Sequence, residues 1–385
     1  MFKILKLNAI SPLADGVFAG CEYSDKVTSP DGIMVRSAAM ADYNAGENLL
    51  AVARAGAGTN NVPVAEYAKR GIVVFNTPGA NANAVKELVI CELFLGGRKI
   101  CDAIDWVKTL KGEGDAVGKL VEKGKSQFVG SEILGKTLGV IGLGAIGIAV
   151  ANAAYALGMN VVGCDPFLST GNALLLNPAV KVVATREEIY KVSDFVTVHV
   201  PLNPETKGMF NAQTIATMKD GAVLINNSRG ELVDDGAVLA ALENGKLARY
   251  ITDFPTDKLI GVKNAVCVPH LGASTPEAED NCALMAAKQL MNYLNDGNIV
   301  NSVNYPALTL AREGVARICI HHKNIANMIA SFTSAVSAAG LNIENMADKS
   351  KGDYAYSIID VNGKPDPSLT EKIAAIDGVL RVRII

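Results

Sequence analysis

An α/β chain built on a doubly wound parallel sheet, with a small βαββαβ module near its C-terminal end, is the fold class three sequence features predict. The first is Thr137–Gly147, a short apolar run ending in three glycines at GxGxxG spacing, Gly142, Gly144 and Gly147. The second is the alternation of β-like runs with helical patterns on both sides of that stretch. The third is the order strand, helix, two strands, helix, strand from Arg317 onward, packed into roughly seventy residues.

Bulk composition narrows the class. At 385 residues the chain is long enough for two or three domains. Hydrophobic residues make up 49%, yet no uncharged apolar run reaches the ~20 residues of a membrane span. The N-terminus MFKILKLNAI lacks an apolar segment with a small-residue cleavage site, so a cytoplasmic location is expected. A net charge of −3 with interspersed signs gives no polybasic stripe for nucleic acid or membrane. The seven cysteines show no CxxC pair, which fits reduced core thiols, and no metal site is expected.

Taken in order, Lys3–Leu7, Ile33–Val35, Leu50–Ala53 and Ile72–Phe75 read as strands of a small parallel unit ending near residue 95. Arg36 and Ser37 stand at one strand end, and Arg54 precedes a glycine-rich loop with Gly56 and Gly58. Bare glycine N–H groups beside a guanidinium suit a carboxylate or phosphate, the alternative being an ordinary surface charge. Asn81–Arg98 and Ile100–Leu110 have helical spacing. The segment Lys111–Lys125 reads as a surface connection, with Lys125 a further candidate for an anion.

The run into Gly142 reads as a buried strand turning into a helix. Gly142 permits the turn, Gly144 lets the backbone approach a pyrophosphate, and Gly147 lets helix pack closely on strand. Asp165, just past the next strand at Val161-Val162, can accept hydrogen bonds from both ribose hydroxyls and repels a 2′-phosphate, which selects NAD over NADP. Further strands are expected at Val182-Val183, Phe195–Val200, Val223–Ile225, Tyr250–Thr252 and Ala265–Val268, completing a Rossmann-type sheet. Glu277–Asn295 reads as a long amphipathic helix and Asn301–Pro306 as a linker.

Three strand ends concentrate polar residues: His199 with its neighbours, Asn226–Gly230, and Pro269–Thr275. An alcohol dehydrogenation needs a proton acceptor and a cation to orient the substrate. Of the four histidines, His321 and His322 fall in the small module and His199 lies within an apolar run. His270 is left as the general acid/base, against the plainer reading of a satisfied loop histidine. Arg229 suits the substrate carboxylate. Asp253 and Asp257 are both candidates for the carboxylate that holds His270.

With these motifs in place the chain resembles the D-isomer-specific 2-hydroxyacid dehydrogenases. The resemblance rests on VRSA, RAGAGTNN, NTPGANANAVKEL, GKTLGVIGLGAIG, HVPLNPETKGM, NNSRGELVD, PHLGAST and the closing RVRII. It implies a discontinuous, flavodoxin-like substrate domain (1–95 and 273–303) around an NAD-binding domain (96–272). Arg229 and His270 fall on the family's catalytic positions. Its cofactor contacts fall on Ala145, Ile146, Asp165, Asn226, Asn227, Ser228 and Asp253, with Gly272 in the PHLGAST loop. Where the family places a glutamate to pair with the histidine, a loop one residue shorter offers Asp257. Substrate contacts carry over to Arg36, Ser37, Arg54, Gly56, Gly58 and Lys125. The tail, 314–385, resembles an ACT module, with His322, Asn324 and Asn342 at effector-contact positions. Ala326-Asn327 replaces the usual Pro-Gly there, so serine binding and a purely dimer-forming role both stand.

The branch most resembled oxidises D-3-phosphoglycerate to 3-phosphohydroxypyruvate at the start of serine synthesis. A small-molecule substrate and a homodimer or homotetramer are therefore expected. A glyoxylate, hydroxypyruvate or D-lactate reductase is the second reading, and an NAD-sensing binding protein a third.

Overall fold

The computed structural model describes residues 1–385, which divide into two compact units, Met1–Asn81 with Glu279–Ile385, and Ala82–Ala278. In the first, β1 (Lys3–Lys6), β2 (Glu22–Ser24), β3 (Gly32–Val35), β4 (Ala51–Arg54) and β5 (Val73–Phe75) form a parallel sheet in the order β2-β1-β3-β4-β5. Strands β3 and β5 are buried along their whole length because both faces of a parallel sheet are covered. The helix Pro276–Asp296 contributes to this core Ala283, Ala286, Ala287, Leu290 and Leu294, one stripe at helical spacing. Strand β2 was not expected. Its three residues, Glu-Tyr-Ser, carry no apolar run.

The second unit holds β6 (Thr137–Ile141), β7 (Asn160–Cys164), β8 (Lys181–Val182), β9 (Phe195–Val198), β10 (Ala222–Asn226), β11 (Leu247–Thr252) and β12 (Ala265–Cys267). They are parallel, in the order β12-β11-β10-β9-β6-β7-β8. This is the doubly wound arrangement, whose strand order reverses between β6 and β9. All seven strands lie where the apolar runs predict them.

Helix Ala82–Gly97 packs on helix Ala145–Ala156 within this second unit, so the division falls at Asn81/Ala82 rather than near residue 95. The expected surface connection before Lys125 contains a helix, Val117–Gly124. Its Val117, Leu120 and Val121 sit at i, i+3 and i+4, a short stripe hidden among lysines and glycines. The helix end approaches Trp106, whose ring lies 5.2 Å from that of Phe128.

In the tail, β13 (Ala316–Lys323), β14 (Ile343–Lys351), β15 (Tyr354–Val361) and β16 (Val379–Ile384) form an antiparallel sheet in the order β14-β15-β13-β16. Ile318 and Ile320 turn toward helices Met328–Ala338 and Pro367–Ala374, packing with Phe332, Val336, Leu369 and Ile373. The alternate residues Cys319 and His321 turn the other way, as strand geometry requires. There the Tyr293 hydroxyl lies 2.8 Å from His321 Nε2.

Three side chains secure the end of the long helix to this sheet. Arg383 donates to the carbonyls of Tyr293 and Leu294, Arg317 to that of Asp296, and the Tyr356 hydroxyl to that of Gly297. Cations at a helix C-terminus satisfy carbonyls that have no intrahelical partner. The module therefore belongs to the same compact unit as β1–β5.

Nor is Asn301–Pro306 a free linker. Val303 N–H donates to Val74 O, Asn304 to Ile72 O and the Tyr305 hydroxyl to Ala68 O, with Tyr305 fully buried. Asn and Pro suggested a loop, but these side chains satisfy backbone groups along β5.

Arg317 and Asp360 form a bidentate pair at 2.6 and 2.7 Å with neither side chain exposed. Removing one partner leaves the other charge buried alone. Asp360→Ala should lower the stability of the first unit by about 3–5 kcal/mol, read from its urea midpoint.

Candidate active site

Gly142 ends β6 with φ +92°, and a Cβ there would lie 2.4 Å from His199 O. At Gly147 a Cβ would lie 1.9 Å from Gly142 O. Helix Ala145–Ala156 can start so close to the strand only because these side chains are missing. Gly144 differs, since a Cβ there would meet nothing within 4 Å. The open side of Gly144, followed by the free N–H groups of the first helical turn at Ala145 and Ile146, fits a pyrophosphate. Asp165, half-exposed past β7, accepts from Leu143 N at 2.8 Å and from Phe167 N at 2.8 Å. Its carboxylate is thereby fixed beside the glycine loop.

At the end of β10, Asn226 is fully buried and folds the turn: its amide donates to Arg229 O at 2.9 Å and accepts from Ser228 N at 3.1 Å. Ser228 Oγ donates to Val198 O, tying the turn to β9. Asn227 points to the other side and donates to Glu92 Oε2 at 2.6 Å. The side chains of Asn226, Asn227 and Ser228 are thus committed within the protein. They shape the turn that presents Arg229, which is half-buried with one guanidinium nitrogen on Ser228 O.

His270 follows β12 with φ +57°, a left-handed conformation uncommon for a side-chain-bearing residue. Asp253, 1% exposed, enforces it by accepting from Leu271 N at 2.6 Å and Gly272 N at 2.8 Å. Outliers of this kind cluster at functional sites when their surroundings over-determine them. The imidazole itself is exposed and rests on Phe254, with centroids 4.8 Å apart.

No carboxylate pairs with it. Asp253 is engaged with the loop backbone, and Asp257 is exposed. The expected dyad is absent because Thr256 Oγ1 anchors its turn on Asp235 and Phe254 occupies the adjoining side of the imidazole. His199 plays no such part: its Nε2 lies 3.0 Å from Thr197 Oγ1, and burial pushes its pKa down to about 4.

Glu92, on helix Ala82–Gly97, is a residue the sequence reading missed. It is fully buried, and burial pushes its carboxyl up to about 8, with Asp253 adding to the rise. A signal was present, since Glu92 shares the apolar stripe of Val85, Val89 and Leu93.

In the first unit, Arg36 and Arg54 come together. Arg54 Nε donates to Arg36 O at 3.0 Å, and Arg36 forms an ion pair with Glu279. Ser37 and Arg36 share Asn8, which donates to Ser37 Oγ and accepts from Arg36 N. The Arg54 guanidinium lies over Gly56, where a Cβ would be 2.0 Å from Nη1, and Gly58 follows in the same loop. Lys125, in the second unit, is exposed and pairs with Glu122.

The three tail residues are not grouped. His322 is buried, bonded to Asp348 and Ser357 at 3.1 Å each. Asn324 donates to Gly352 O beside it. Asn342 pairs with Glu344 and Asn362 at the other end of the strands.

A glycine loop at the switch of a doubly wound sheet, an arginine at one strand end and a strained histidine at another define a dinucleotide-dependent dehydrogenase. Residues 96–272 match the NAD binding domain of the D-isomer specific 2-hydroxyacid dehydrogenases. The chain is 35% identical over 356 residues to the D-3-phosphoglycerate dehydrogenase of Escherichia coli, covering 89% of this chain and 83% of that one. It is 36% identical over 354 residues to the enzyme of the same name from Bacillus subtilis, covering 87% of this chain and spanning 64% of the relative's length. A solved 3-phosphoglycerate dehydrogenase of Entamoeba histolytica, bound to NAD+, matches 80% of this chain and 99% of its own with a TM-score of 0.62 and 27% identity. The chain belongs to the D-isomer specific 2-hydroxyacid dehydrogenase family, and its cofactor is NAD.

The two glycines make a paired test. Gly144→Ala should fold normally yet raise KM for NAD about tenfold, a loss of about 1.4 kcal/mol. Gly147→Ala should lose the folded second unit, seen as a lowered Tm.

Proposed function

We propose that the chain oxidises D-3-phosphoglycerate to 3-phosphohydroxypyruvate with NAD, the first step of phosphorylated serine synthesis. The observation that carries this reading is identity of 35–36% to D-3-phosphoglycerate dehydrogenases over 87–89% of the chain. Arg36 and Arg54 support it, as two guanidinium-bearing residues joined by a hydrogen bond at strand ends of one unit. We assign substrate binding to the parallel sheet of the first unit with its returning helix, and NAD binding to the second unit, the boundary lying at Asn81/Ala82 rather than at residue 95.

In this mechanism Arg229 grips the substrate carboxylate and polarises the neighbouring C2 oxygen. A guanidinium stays charged at any working pH. His270 accepts the C2 hydroxyl proton as the alcohol becomes a ketone, and returns it to solvent. When bound, NAD supplies the acceptor for the hydride leaving C2. Arg36, Ser37, Arg54 and the loop of Gly56 and Gly58, whose Gly56 N–H is given to Arg54 O, receive the phosphate, with Lys125 adding positive charge. Asp257, matched by sequence to the family's carboxylate, does not pair with His270 and is given no part in this step.

The tail we read as an ACT-like module serving a cytoplasmic homodimer or homotetramer. Because His322 is already committed to Asp348 and Ser357, the pairing role is favoured over serine binding. Inhibition of the enzyme by L-serine would reverse that preference.

Steady-state kinetics test the substrate. D-glycerate should be used at least about tenfold less efficiently than its 3-phosphate, a gap that Arg54→Gln narrows. Equal efficiency would favour a glyoxylate or hydroxypyruvate reductase instead. His270→Ala should lower kcat about a hundred- to ten-thousandfold, and Asp257→Asn should cost less.

A further inference from the structure

The turn that carries Arg229 rests on a polar pair, fully buried Glu92 and half-buried Asn227, with an incomplete set of hydrogen bonds. Asn227 Nδ2 donates to Glu92 Oε2 at 2.6 Å. Glu92 Oε1 and Asn227 Oδ1, both buried, have no partner. Two orphaned acceptors in one contact are costly in a low-dielectric interior. One proton on Glu92 Oε1 turns that atom into a donor, and Asn227 Oδ1 is the acceptor left over. A carboxylic acid and a primary amide then pair reciprocally, N–H to O and O–H to O.

The surroundings favour the neutral acid. Glu92 is fully buried on the apolar stripe of helix Ala82–Gly97. The charged group facing it is Asp253, of the same sign, beyond the end of β11. The other ion of that strand, Arg249, is taken up by Asp102. Helix Ala145–Ala156, packed against it, carries no acidic or basic residue, and its Tyr155 is exposed. No cation is available to hold a carboxylate. Burial and Asp253 together push the group up to about 8.

We propose that Glu92 is a positioning residue that works as a neutral acid, latching Asn227 to helix Ala82–Gly97 and so fixing the 226–229 turn that aims Arg229. Ionisation of Glu92 puts a carboxylate beside Asn227 Oδ1 and Asp253, and the latch opens. The effect on turnover rests on the dehydrogenase reading above. The latch itself does not.

Glu92→Gln separates the two. A glutamine pairs with Asn227 as amide with amide and has no proton to lose. The variant should match the wild type in kcat/KM at pH 7 and keep it at pH 9, where the wild type has lost about tenfold per pH unit above its limb near 8. Glu92→Ala should lose at least about tenfold already at pH 7.

Stability gives a reading independent of activity. The ordinary value for Glu92 is 4.5, so between about 4.5 and about 8 the unfolded chain binds fewer protons than the folded one. Stability therefore falls as pH rises through that window and levels off above it. Glu92→Gln should flatten this fall in Tm. A flattened Tm profile in a protein that oxidises no 2-hydroxy acid would sustain the latch and sink the dehydrogenase reading. An alkaline limb and Tm slope unchanged in Glu92→Gln would overturn the latch.

Discussion

The distance of closest approach between Gly142 and Gly147 governs much of the second unit. A Cβ at Gly147 would fall 1.9 Å from Gly142 O, so the helix that follows β6 begins against the strand rather than beside it. That contact sets where the helix N-terminus opens and how its apolar residues Ile148, Val150, Ala151 and Ala154 meet the sheet. Helix Ala82–Gly97 packs on this same helix and brings Glu92 to Asn227. The arrangement of Arg229 is therefore linked, through packing, to two missing side chains in the glycine turn.

The site has a division of labour that differs from what residue types suggest. Asn226, Ser228 and Asp253 look like ligand-binding groups, and in this fold they bind backbone. Their hydrogen bonds hold two turns, one of them strained at His270, in conformations that isolated chains do not favour. The geometry of the Arg229 and His270 turns is thus maintained by polar groups whose partners are N–H and C=O groups of the loops. Half-buried Arg229 and exposed His270 carry few contacts of their own.

Much of this was legible in the sequence. Apolar runs marked all seven strands of the second unit, most clearly β9 and β10, because parallel strands buried on both faces have no polar alternation to confuse them. Context placed three of the histidines: His199 in a strand-end run, where it is half-buried and neutral, and His321 and His322 in the tail sheet. Less visible were features in which polar residues do structural work. Asn304 and Tyr305 read as linker because their hydrogen bonds, to Ile72 and Val74 and to Ala68, join positions far apart in sequence. Glu92 drew no reading of its own, although its place among Val85, Val89 and Leu93 put it inside. Asp257 was expected at His270 from its spacing, but Thr256 and Phe254 decide which way that turn faces.

The two arginines of β16 have a consequence for how the protein is made. Arg381 donates to Leu49 O across 332 positions of sequence, and Arg383 reaches Tyr293 and Leu294. A ribosome delivers the second unit, Ala82–Ala278, as one uninterrupted stretch that contains all its own partners. The first unit is split around it, and its opening strands wait for residues near 380. During synthesis the cofactor-binding sheet closes early while β1–β5 stand unsupported, so the N-terminal strands are the segment most exposed to chaperones and to misassembly.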